Sequence, residues 1–63
     1  MKVFIEHLNK EVDITAKNVK ELLNKLKINP GTVIVVRNNE LIIEETELDS
    51  KDKITIMNVI SGG

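Results

Sequence analysis

Sixty-three residues, 41% hydrophobic and 30% charged with a net charge of −1 and no cysteine, describe one small domain resting on a single apolar core. Lacking cysteine, the chain has no disulfide, thiolate metal site, iron–sulfur cluster or thiol nucleophile; with scattered lysines and Phe4 as its only aromatic residue, it has neither the basic stripe nor the stacking rings of a nucleic-acid binder. No apolar run reaches membrane-spanning length and charge begins at Lys2, too early for a signal peptide, so the expectation is a cytoplasmic protein with no nucleic-acid or membrane partner.

In chain order, Met1, Val3 and Ile5 alternate with Lys2, Phe4 and Glu6, the period of a half-buried strand. Residues 8–11 read as a turn in which Asn9 tolerates positive φ. Val12 and Ile14 then alternate with Glu11, Asp13 and Thr15, predicting a second strand and an antiparallel hairpin. The period changes to helical at Val19, Leu22, Leu23 and Leu26. Asn18 is placed to cap that helix, with Glu21 three residues on, and the residue before Pro30 is driven from helical geometry, ending the helix by Lys27 or Ile28. Pro30-Gly31 carries the residues of a type II turn.

Residues 32–37 (Thr-Val-Ile-Val-Val-Arg) form a third strand that is apolar on both faces. Asn38-Asn39 suits a two-residue hairpin turn, and residues 40–44 give a short fourth strand. A polar loop follows, with Leu48 as its anchor to the core, and residues 53–57 are the last strand, with Ile54 and Ile56 inward. The order β-β-α-β-β-β predicts an α+β fold with one helix across one face of a mixed sheet and the last strand in the middle, beside the first. Val3, Ile5, Ile34, Val36, Ile54 and Ile56 are expected to face the helix. Alternation then sends Phe4, Val33, Val35 and Met57 to the open face, with Leu8 and Val59 joining them at its end. Such an exposed apolar patch is a candidate partner-binding surface.

Few side chains point to chemistry within the chain itself. His7 is the only histidine and is expected to be solvated at a strand end. The acidic residues Glu44, Glu45, Glu47, Asp49 and Asp52 lack the ligand spacing and central glycine of a calcium loop and read as a solvated face. No catalytic or metal-binding residue is expected. The most distinctive stretch is Val59-Ile60-Ser61-Gly62-Gly63, an apolar strand end running into two residues without a Cβ. That is the thinnest profile a peptide can thread into another protein's cleft.

Taken together, the opening residues 1–8, the stretch Val36-Arg37-Asn38-Asn39-Glu40, Leu48, the run 52–56 and above all the Gly62-Gly63 ending resemble the ubiquitin-like β-grasp superfamily, in its sulfur-carrier branch, the ThiS and MoaD families. Here Asp49-Ser50-Lys51-Asp52 has no glycine, and Asn38-Asn39 stands where those carriers often have Asn-Gly. The resemblance implies a β-grasp domain over residues 1–60 and a flexible tail over 61–63. It implies that an ATP-dependent activating enzyme adenylates the Gly63 carboxylate, with Gly62 and Ser61 threading its cleft. A sulfur nucleophile then leaves a thiocarboxylate at Gly63. A biosynthetic enzyme for thiamine, a molybdopterin or tungsten cofactor, or a thiolated RNA base accepts that sulfur. The chain itself binds no cofactor, ATP being used by the partner. The same tail suits a ubiquitin-like modifier joined through Gly63 to lysines of target proteins, and a β-grasp interaction domain with an incidental Gly-Gly end is the third reading.

Overall fold

The computed structural model describes residues 1–59; the expectations for Ile60, Ser61, Gly62 and Gly63 therefore lie outside the described residues. Strand β1 (Lys2–Ile5) and strand β2 (Lys10–Asp13) pair antiparallel. The link between them is a 3-10 turn, Glu6–Leu8, closed by Asn9 at φ 49°, the left-handed geometry that asparagine accepts. Helix α1 spans Val19–Lys25, strand β3 Val33–Arg37, strand β4 Glu40–Ile42 and strand β5 Lys53–Asn58. The strands form one sheet in the order β2-β1-β5-β3-β4. β5 lies parallel to β1 and antiparallel to β3, and the helix covers one face, so the architecture is the β-grasp arrangement that the sequence predicts.

The core comprises Val3, Ile5, Val33, Val35, Ile54 and Ile56 from the sheet and Val19, Leu22 and Leu23 from the helix, with Ala16 in the connection between. The third strand departs from expectation. Val33 and Val35 face the helix and are buried, while Ile34 and Val36 lie on the open face. Every residue from Val33 to Val36 is apolar, so alternation carries no signal for the face. A shift of one position exchanges the two sides. The register with β5 decides it, setting Val35 opposite buried Ile56 and Ile34 opposite Met57.

Local chemistry explains the helix ends. The Asn18 side chain accepts the Glu21 N–H at 2.8 Å, and the Glu21 carboxylate accepts the Lys17 N–H at 3.2 Å, one residue earlier than a standard capping box. The free amides of the first turn are met by the acidic loop: Val19 N–H donates to the Thr46 carbonyl and Lys20 N–H to that of Glu44. Leu48 packs against the core, as its place in the polar run predicts, and its N–H donates to the Lys17 carbonyl at 2.8 Å. At the far end the helix stops at Lys25, two to three residues earlier than expected, because Lys27 turns left-handed at φ 58°. Ile28 N–H then returns to the Leu23 carbonyl and Lys27 N–H to that of Asn24, a Schellman closure.

Two turns behave differently from each other. Asn38 and Asn39 both take positive φ, 51° and 68°, closing the β3–β4 hairpin as predicted. Pro30-Gly31, expected as a type II turn, opens a 3-10 turn over Pro30–Thr32 instead. Asn29 caps that turn through its side chain, and Gly31 keeps negative φ.

Candidate functional site

The open face is built from alternate residues of all five strands, and the register lays them in rows. One row runs Leu41, Val36, Thr55, Phe4, Glu11. Ile34 and Met57 form a second toward the end of β5. Lys53, Lys2 and Asp13 form a third at the opposite end. The face is thus apolar where β5 finishes and charged where it begins. Phe4, Val36, Thr55 and Met57 are half-buried by their neighbours, while Ile34 and Leu41 are 39% and 66% exposed.

The strand that carries the chain toward Gly63 is the central one. It leaves the sheet between the Glu6–Leu8 turn and the Pro30–Thr32 turn, with Val59 N–H donating to the Thr32 carbonyl at 2.8 Å. Leu8, 58% exposed, and Val59, 45% exposed, flank this exit. The expected partner-binding residues Phe4, Leu8, Met57 and Val59 therefore lie on or beside the open face. Val33 and Val35 do not: they are core residues, and Ile34 and Val36 occupy the open-face positions assigned to them. Leu41, brought opposite Val36 by the Asn38-Asn39 hairpin, is an open-face residue that sequence reasoning missed. It sits in another apolar triplet, Leu41-Ile42-Ile43, whose periodicity is equally silent. Only the hairpin pairing rule could have found it.

Little else on the surface offers chemistry. His7 is exposed in the first 3-10 turn. Glu44, Glu45, Glu47 and Asp49 face solvent, but Asp52 does not: its carboxylate lies 3.4 Å from Arg37 Nη1 and accepts the Asp49 N–H at 2.8 Å. Arg37 Nη1 also donates to the Glu47 carbonyl at 3.0 Å, so part of the acidic run is a structural knot that tethers the loop to β3. Among the described residues no group of acidic or histidine side chains could hold a metal ion, and no helix is long and apolar enough to cross a membrane. The arrangement is a half-apolar open face beside the end of the central strand.

Comparison with known proteins gives this geometry a context. The model of the ThiS family matches residues 4–63. The chain is 38% identical over 55 residues to the sulfur carrier protein TtuB of Thermus thermophilus, covering 86% of this chain and 85% of that one. It is 34% identical over 53 residues to an uncharacterised protein of Archaeoglobus fulgidus, covering 84% and 78%. A β-grasp body, an uncovered face and a match that runs through the Gly-Gly pair agree: the chain belongs to the ThiS family of sulfur carrier proteins, and it is a carrier rather than an enzyme.

Proposed function

We propose that the sulfur is carried on the carboxylate of Gly63. A carboxylate is a poor acyl donor, because its leaving group would be oxide. An activating enzyme joins it to the α-phosphate of ATP, releasing pyrophosphate and forming an acyl-adenylate. A persulfide attacks that carbonyl and expels AMP, and a thiol then cleaves the sulfur–sulfur bond, leaving a thiocarboxylate on this chain and a disulfide on the donor. The sulfur passes to a biosynthetic enzyme making thiamine, a molybdopterin or tungsten cofactor, or a thiolated RNA base. Catalytic groups and ATP belong to the partners, and the chain binds no cofactor of its own.

The observation that supports this reading most directly is the reach of the family match, which continues from the folded body through Gly62 and Gly63. The thin Ser61-Gly62-Gly63 segment suits passage through a narrow channel. The open face supplies a docking surface made of Phe4, Leu8, Met57 and Val59 together with Ile34, Val36 and Leu41, apolar enough to bury against a partner.

Intact-mass measurement after incubation with ATP, a persulfide donor and the activating enzyme tests it. The expected product is heavier by the difference between sulfur and oxygen. Deleting Gly63 is expected to lower ATP-dependent pyrophosphate release by about 100-fold or more, since the reacting group no longer reaches its position. Equal turnover with and without Gly63 refutes the assignment. Adducts that resist thiol reductants, joined through Gly63 to target lysines, identify a protein modifier instead.

A further inference from the structure

The last described backbone bond of the central strand is made to a turn. Val59, one residue past the end of β5, donates its N–H to the carbonyl of Thr32 at 2.8 Å. Thr32 closes the Pro30–Thr32 turn, and Asn29 holds that turn at three points. The Asn29 side-chain oxygen accepts the Gly31 N–H at 2.9 Å. Its carbonyl accepts both the Thr32 N–H at 3.1 Å and the Thr32 hydroxyl at 2.8 Å. Pro30 adds a fixed φ in between. Asn29, Gly31 and Thr32 are all exposed, so this bonded turn contributes nothing to the core. Beyond the turn the chain runs into Val33 of β3, and the Thr32 carbonyl is bonded to Val59 just past the end of β5.

We propose that the Asn29–Thr32 turn is a clamp that sets the point at which the chain leaves the sheet for Gly63. This makes Asn29 a positioning residue for loading at that carboxylate. The inference rests on the function proposed above and adds a residue to it. Gly63 lies four residues beyond Val59, a reach of at most about 14 Å when fully extended. Releasing Val59 adds about 3.3–3.6 Å of reach per residue released and multiplies the conformations that must be excluded to align the carboxylate with ATP. Asn29 is not part of the open face, and of the docking residues only Val59, at its edge, is released, so Phe4, Ile34, Val36, Leu41 and Met57 keep most of the docking surface in place. The loss falls on the step that needs alignment, and therefore on kcat rather than KM.

The test uses the full chain with Asn29→Ala, Thr32→Val as an independent loosening of the same turn, and Asn29→Asp, which keeps the side-chain acceptor. Amide hydrogen exchange read by NMR is expected to quicken at Val59 by about 5–10-fold in the Ala and Val variants. Exchange at Ile54 and Ile56 stays at the parent rate, as for local rather than global opening. With the activating enzyme and ATP, kcat for pyrophosphate release is expected to fall by about 3–10-fold while KM stays within about 2-fold. Asn29→Asp is expected to match the parent in both measurements. Unchanged exchange at Val59 in both loosened variants removes the clamp. Quickened exchange with an unchanged kcat, or a loss carried by KM, removes its role in loading. A parent chain that is not adenylated at all refutes the proposed function instead, and exchange at Val59 then still decides whether the clamp exists.

Discussion

Lys27 holds a backbone conformation that glycine usually takes. At φ 58° it ends helix α1 and lets Ile28 turn back to bond the Leu23 carbonyl. Left-handed geometry costs a residue with a Cβ about 1–2 kcal/mol, partly offset in a glycine variant by the greater freedom of its unfolded chain. Lys27→Gly is therefore expected to stabilise the domain by about 0.5–1 kcal/mol in urea denaturation. No gain would mean that the lysine relieves the strain through contacts of its own. Single residues also mark what sequence reading can reach. Asn9, Asn38 and Asn39, the asparagines that tolerate positive φ, sit at the turns where they were expected. Lysine gives no such sign, so the early end of the helix was not legible. Nor was the 3-10 form of the Pro30 turn, because the Asn29 cap that selects it uses a residue which sequence reading counted only as a helix terminator.

Strand β3 shows the same limit at the level of an element. In β1 and β5 the apolar residues alternate with Lys2, Lys53 and Thr55, so the burial of Val3, Ile5, Ile54 and Ile56 and the outward placement of Phe4 and Met57 could be read directly. β3 has no polar residue until Arg37, and its two faces were exchanged in the expectation. Half of the open-face patch was legible for this reason and half was not. The difference has a sharp experimental consequence. Val35→Asp places an unpaired carboxylate at a site 4% exposed and is expected to cost about 3 kcal/mol or more, leaving the chain largely unfolded by circular dichroism. Ile34→Asp, one residue away on the open face, is expected to shift stability by about 1 kcal/mol or less while weakening binding to the activating enzyme about 10-fold or more. A folded Val35→Asp, or an Ile34→Asp that binds like the parent, overturns the face assignment or the docking role respectively.

Over the whole molecule the margin is narrow. Among the described residues ten buried ones form the core, and a domain of this size retains only about 3–5 kcal/mol of net stability. Ile56 is fully buried in the central strand and faces both Ile5 and Val35. Ile56→Ala is expected to cost about 2–5 kcal/mol, enough to give a substantial unfolded fraction at 25 °C in the far-ultraviolet circular dichroism signal. A denaturation midpoint close to that of the parent would show that the core collapses around the missing methyl groups. The acidic loop matters at this scale as well. Its carbonyls at Glu44 and Thr46 satisfy the first turn of the helix, and Arg37 ties it to β3, so the loop between the last two strands anchors the layer above the sheet.

The parallel pairing of β1 with β5, Lys2 opposite Lys53 through Ile5 opposite Ile56, joins the first strand of the sheet in chain order to the last. Contacts so distant in sequence form late and slowly, and a nascent chain on the ribosome has no central strand to close upon until β5 has emerged. A polypeptide that stops short of β5 thus lacks the strand on which both halves of the sheet close, and is expected to stay unfolded.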